Sequence, residues 1–222
     1  MNYIFGLLGL SGGILCAVGD MFLDLKGADN KKLGKYKFID SNWINMSEWR
    51  FKASILLAAA GVPLYFLGAT SMARQLADID LYFGLTFWIV MMIGSIGGFF
   101  IHAFLCCIPI IYKSMIKHAG FELTEEVINR IYHAIKIPFF AMFILLVGVS
   151  SIMLFIAKAA GYLSIPSITL ILTPLPLLMI GVLLRFIKRE WFRDLPGIVM
   201  LIIPMQFDPG VRFKMTHPSD SK

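Results

Sequence analysis

Asp20 and His102 are the residues of this sequence best placed to do chemistry, because each interrupts a run of apolar side chains. The first 19 residues, MNYIFGLLGLSGGILCAVG, carry no charged side chain; Asp20 and Asp24 then follow, four residues apart. His102 stands in GSIGGFFIHAFLCCIPIIY and is the single histidine within the apolar stretches. A carboxylate in hydrocarbon costs about 3 kcal/mol or more unless it is paired, protonated or hydrated. An imidazole beside it would pair with it, and the two could then exchange protons as a general acid and base.

Helical spacing connects them. Gly9, Gly13, Ala17, Asp20 and Asp24 follow at steps of 4, 4, 3 and 4, on one stripe. Gly94, Gly98, His102 and Cys106 follow at steps of four on another. Small residues let membrane helices approach closely. Asp20 lies 17 residues beyond Tyr3 and His102 lies 20 beyond Tyr82. At about 1.5 Å per residue the two reach similar depths. The stripes therefore predict that the first and third spans pack side by side. Asp20 would then meet His102 at a pocket open to the cytoplasm.

Further candidates surround this pair. Asp24 either lines the same pocket or is a hydrated helix end among lysines. In HAGFELTEEVINRIYHAIKIPFF, Thr124 suits an N-cap, with Glu125 and Glu126 in the first turn, where acids favour the helix dipole. Glu125, Asn129 and His133 then share a face and are candidate ligand-binding residues at the pocket mouth. The plainer reading is a capped, solvated helix stub, with Glu126 and Arg130 paired at i, i+4. Arg185, at the end of an apolar run, either snorkels to the surface or holds a phosphate or carboxylate. Cys16 with Asp20, and His102 with Cys106, have i, i+4 spacing that would suit a soft divalent metal. Isolated cysteines in apolar helices are ordinarily small core residues, so no metal and no cofactor is expected. GxSxG, HExxH, CxxC, Walker and GxGxxG signatures are absent from the sequence. Ser150 and Ser151 are candidate nucleophiles, against the commoner role of bonding to their own helix backbone.

The elements that must position these residues follow from composition. The chain has 222 residues, 58% hydrophobic and 15% charged, with mean hydropathy +0.78. A soluble domain of this size is not so apolar. About 20 apolar residues cross a bilayer as a helix. The expected fold is all-α, a polytopic transmembrane bundle forming one integral membrane domain over 1–222. Its five long spans would cover 3–23, 53–72, 81–112, 137–157 and 165–187, with a short sixth span or re-entrant element at 192–207. The first span is expected to be retained rather than removed as a signal peptide. ILTPLPLL, with Thr173, Pro174 and Pro176, should kink the fifth span. Trp43, Trp49 and Trp191 read as interfacial anchors, and FIDSNWINMSEW as an amphipathic segment lying on the inner leaflet. Cys16, Cys106 and Cys107 lie in apolar segments, which argues against a disulfide scaffold.

Lys and Arg set the orientation. They crowd the loops at 24–52, 113–136 and 188–194, while the opposite side holds Arg74 and Lys158. The basic loops should be cytoplasmic and the N-terminus outside. Arg212, Lys214 and Lys222 favour a cytoplasmic tail, whereas a full sixth span would place it outside. The net charge of +6 then reports topology and contact with anionic headgroups. The partners expected are the lipid bilayer and a small-molecule or lipid ligand. Nucleic acid is not expected, and the sequence does not fix the oligomeric state.

With Gly19-Asp20 near the inner end of the first span, the chain resembles uncharacterised small polytopic bacterial membrane proteins that carry a Gly-Asp at that place. Such proteins bring no assigned reaction. Aspartates and histidines near the inner leaflet also occur in lipid-handling intramembrane enzymes. The zinc-containing ones have several histidines where this chain has His102 alone. Three readings follow. The first is a small-molecule or lipid site around Asp20 and His102. The second is a proton-coupled transporter titrating Asp20. The third is a non-catalytic immunity, sensory or assembly factor whose polar residues fix helix packing. Whether the chain is an enzyme stays open at this point.

Overall fold

The computed structural model describes residues 2–27, 29–163 and 166–187. Helix α1 (Asn2–Asp24) runs from the N-terminus to a compact loop. That loop holds a two-residue antiparallel ladder, Lys32 opposite Asp40 and Leu33 opposite Ile39, and a 3-10 turn over Ser41–Ile44. Helix α2 (Glu48–Ala77) returns to the far end. A short turn leads into α3 (Leu81–Phe143), where Asp80 caps the helix by accepting the Phe83 N–H at 3.0 Å. After α3 come a π-helical stretch (Ile144–Val149), α4 (Ser150–Ala159), a 3-10 segment (Ser167–Leu172) and α5 (Pro174–Ile187).

The span count needs correcting. Among the described residues three helical stretches are long and apolar enough to cross a membrane: Ile4–Asp24, Glu48–Ala77 and Leu81–Ala159. The predicted third and fourth spans lie within this last stretch, which folds back on itself at Gly120. There φ is +74° and ψ 174°, a conformation essentially reserved for glycine. The two limbs then run antiparallel, so that Gly94 and Gly97 meet Leu146 and Met142. Within the described residues α5 covers 14 residues, about 21 Å at the α-helical rise. Pro174 does not kink a span: it begins α5, where its missing N–H is not needed. Thr124 does not start a helix either. It lies one turn inside the second limb and donates to the Gly120 carbonyl at 2.6 Å. The short element at 192–207, the loop at 188–194, Trp191 and the tail lie outside the described residues.

Two apolar clusters hold the bundle. The one at the loop end contains Leu23, Ile39, Trp43, Phe51, Ile108 and Ile128. The one at the far end contains Met72, Leu76, Phe87, Met91, Leu146 and Leu154. Trp43 is 3% exposed and packs edge-on against Tyr112, so it is core rather than an interfacial anchor. Ile39, Trp43 and Met46 are buried together, so the FIDSNWINMSEW segment belongs to the bundle rather than lying apart from it. The outward faces are also apolar. Leu56, Tyr82, Ile96, Phe100 and Ile137 are all 60% exposed or more, as expected of helices that face lipid rather than water.

The glycine stripes find partners other than those the spacing predicted. The backbones of α1 and α3 do not pack against each other; α1 packs along α2. A Cβ on Gly9 would lie 2.5 Å from the Gly68 Cα, and one on Gly61 would lie 2.9 Å from the Gly12 carbonyl. Gly12 itself sits against the backbone of Tyr65. The α1 stripe therefore closes on Gly61 and Gly68 of α2. The α3 stripe closes on Leu146 of the π-helical stretch at Gly94 and Gly98, and on Ser54 of α2 at His102 and Cys106.

Candidate functional site

Asp20 and His102 meet even though their helices do not pack. The Asp20 Oδ1 lies 3.1 Å from the His102 Nδ1, the two side chains reaching across the loop-end third of α2. Ser54 of α2 supports the imidazole from the other side. Its Oγ lies 2.9 Å from the His102 Nε2 and donates to the Gly19 carbonyl at 2.7 Å. The Cys106 Sγ, one turn beyond His102, donates to the Ser54 Oγ at 3.3 Å and lies 3.4 Å from the Nε2. The Gly19-Asp20 dipeptide thus has a physical meaning. A Cβ on Gly19 would press against the Ser54 carbonyl at 3.1 Å, so glycine lets α2 come close, and Asp20 then reaches past it.

Proton accounting gives this cluster a direction. The Ser54 hydrogen goes to the Gly19 carbonyl, which leaves the Ser54 oxygen as an acceptor for the His102 Nε2–H and the Cys106 thiol. His102 thus has a polar neighbour at each ring nitrogen, Asp20 at Nδ1 and Ser54 with Cys106 at Nε2. Ser54 is fully buried, so it is a positioning residue and no nucleophile. Among the described residues no three His, Cys, Asp or Glu side chains converge as a metal site.

The cluster closes one end of a cavity of about 110 Å³. Its walls come from Cys16 and Asp20 on α1, from Ala58, Val62 and Tyr65 on α2, and from Ser95, Gly98, Phe99 and His102 on α3, with Leu146 from the π-helical stretch. From His102 to Ser95 the cavity follows about 10 Å of helix toward the middle of the bundle. Tyr65 and Ser95 line the cavity, and their hydroxyl oxygens lie buried just behind its surface with no hydrogen-bond partner among the described residues. Neither stood out in the sequence, because a lone Tyr or Ser in an apolar helix carries no pattern.

Ser150 and Ser151 also serve structure. Ser150 bonds back to the Leu146 carbonyl, and the Ser151 Oγ accepts the Leu175 N–H at 3.1 Å at the start of α5.

The other predicted residues sit elsewhere. Asp24 pairs with Lys26 at 3.6 Å, at the edge of a charged knot in the first loop. The centre of that knot is Asp40, only 1% exposed, ion-paired to Lys26 at 3.3 Å and Lys32 at 3.0 Å and accepting from Asn30 at 2.7 Å. Burial pushes the Asp40 carboxyl up, but Lys26, Asn30 and Lys32 outweigh it and hold the group below the ordinary 3.8. Glu125 accepts the Tyr36 N–H at 2.9 Å and lies directly over Gly34, so it ties the first loop to the second limb of α3. The Asn129 Oδ1 is buried without a hydrogen-bond partner among the described residues. Glu126 and Arg130 form the expected i, i+4 ion pair. His133 is exposed and lines a separate groove on the second limb. None of Asp24, Glu125, Asn129 and His133 lines the cavity beside Asp20 and His102. The side chain of Arg185 lies outside the described residues.

Fold and site together define a helical bundle with membrane-length apolar helices around a partly buried Asp–His–Ser cluster. Residues 1–203 match the family of unknown function DUF6796, and the chain belongs to that family. No curated protein and no solved structure matches the chain.

Proposed function

We propose that this is a multi-pass membrane protein, with its basic loops in the cytoplasm, that binds a small molecule or lipid group in the Asp20–His102 cavity. The three apolar helices and their exposed hydrophobic faces support the membrane setting. The turn at Gly120 supports the relative topology, because it brings the loops at 24–52 and 113–136 to one end, as the Lys and Arg count requires.

The observation that carries the binding reading is the pair of orphan hydroxyls. A buried polar group without a partner costs about 1–3 kcal/mol, so packing alone does not explain two of them in one cavity wall. Neither oxygen is open to the cavity as it stands, so a ligand with polar atoms at that depth would satisfy them after a rotation of either side chain. Its other end would meet the Asp20–His102 pair, which can hold a polar headgroup or exchange a proton with it.

The test is a Tyr65→Phe/Ser95→Ala double variant. Wild-type and variant proteins are purified in parallel, and their organic extracts are compared by mass spectrometry. The expected result is a compound that copurifies with the wild type and is depleted from the variant, while the variant melts at the same or a higher temperature. Matching extracts together with a lower melting temperature would give the hydroxyls a structural role and overturn the reading.

A further inference from the structure

The second limb of α3 carries a groove that the Asp20 cavity does not explain. Its volume is about 480 Å³, within the range of about 300–1,000 Å³ typical of ligand pockets. Phe38 of the first loop, Leu105 of the first limb, and Tyr132, Phe139 and Phe140 of the second limb form its apolar walls. Phe38 stacks on Tyr132 with ring centroids 4.3 Å apart, so the loop-side wall is rigid. His133 and Lys136 stand at its charged end, three residues apart on one helical face. Both are exposed, and among the described residues neither is in an ion pair. The nearby acids are Asp24 and Asp40, behind Tyr132, and each is already paired with lysine. Next to the groove the surface becomes strongly apolar, with Ile137 79% and Phe140 52% exposed.

We infer that this groove holds an anionic phospholipid of the surrounding leaflet, one acyl chain between the aromatic walls and the phosphate on Lys136 and His133. Charge complementarity selects this occupant. In the membrane setting proposed above, Lys136 and His133 share one groove with Phe38 of the basic first loop and the exposed Phe140, so a single lining offers a cation and an apolar wall together. A zwitterionic lipid would fill the walls as well but would gain less at the cation. The site is separate from the Asp20 cavity, and the inference does not depend on the reading of that cavity.

The experiment is native mass spectrometry of the full chain released from micelles containing equal amounts of phosphatidylglycerol and phosphatidylcholine with identical acyl chains. The wild type should retain phosphatidylglycerol over phosphatidylcholine by about fivefold, the factor that one basic residue near a membrane surface is worth. Lys136→Gln/His133→Gln, which alters two exposed side chains, should bring the ratio near one. Leu105→Trp, which fills the groove, should lower retention of both lipids. An unchanged preference in the double variant would overturn the inference. So would full retention by Leu105→Trp, or displacement of the bound lipid by inorganic phosphate.

Discussion

Tyr65 and Ser95 are the side chains whose removal separates a binding site from a packing defect. Phe at 65 removes a hydroxyl that has no partner among the described residues, so the unliganded protein should gain up to about 1 kcal/mol. A loss of that size in chemical unfolding would mean that the hydroxyl has a protein partner. Asp20 and His102 should behave in the opposite way. In a double-mutant cycle with Asp20→Asn and His102→Gln the coupling should be about 2 kcal/mol, because each single change strands its partner. Coupling near zero would mean that the 3.1 Å contact carries no energy. These two residues were legible in the sequence because ionisable groups are conspicuous in apolar helices and helical steps fix their depth. Ser54 was not legible: a serine one turn into a helix looks the same whether it holds an imidazole or faces lipid. Tyr65 and Ser95 were hidden for the same reason, since what marks them is a missing partner and that exists only in three dimensions.

At the scale of elements, glycine governs how close the helices come. Gly12→Val would drive a side chain into the α2 backbone and should cost about 3 kcal/mol or prevent folding. Gly148→Ala is the contrast, since a Cβ there meets nothing within 4 Å, and it should leave thermal stability unchanged or raise it slightly. Gly120→Ala should lower stability by about 1–3 kcal/mol through its backbone conformation alone, as nothing surrounds it. Equal melting temperatures for all three variants would refute this account of the helix seams and the elbow. A glycine stripe announces that a backbone comes close but not whose backbone it is. That is why Gly9 pointed correctly to a close seam, while the seam also runs through Gly12, outside the predicted stripe, and α2, through Gly61 and Gly68, proved to be the partner. The elbow was legible only as a basic stretch between apolar runs. Thr124 resembled a cap, yet the actual break lies at Gly120, where positive φ does what a capping side chain would otherwise do.

For the whole molecule, the charged knot around Asp40 links the first loop to the bundle and should give stability a pH dependence. The Asp40 carboxyl is held below 3.8 when folded, so folding favours its ionised form. Its contribution is complete above the unfolded value and is lost as pH falls through the folded one. Melting temperature should therefore drop below about pH 4, and Asp40→Asn should flatten that drop while lowering the plateau. A variant with an unchanged acid limb would remove Asp40 from the account. Orientation has its own check. A cysteine placed at Lys35, in a chain whose native cysteines are replaced, should react with an impermeant maleimide only after the cytoplasmic face is opened. One placed at Ala160 should react from outside, and the reverse pattern would invert the topology. Composition and basic loops made the membrane-length helices legible, but hydropathy measures apolar length and not continuity. The runs at 81–112 and 137–157 fall on the two antiparallel limbs either side of Gly120, whereas the fifth run, 165–187, is broken in the structure into a 3-10 segment and α5.

The most direct test of the central claim is an experimental structure of the protein in lipid nanodiscs, with one region of density inspected: the cavity between the Asp20–His102 pair and the hydroxyls of Tyr65 and Ser95. The account predicts non-protein density there within hydrogen-bond reach of at least one of those hydroxyls, with His102 still against Asp20 and Ser54. A cavity closed by side chains, with Tyr65 and Ser95 bonded to neighbouring backbone, would contradict it and leave the Asp–His–Ser cluster as a packing device.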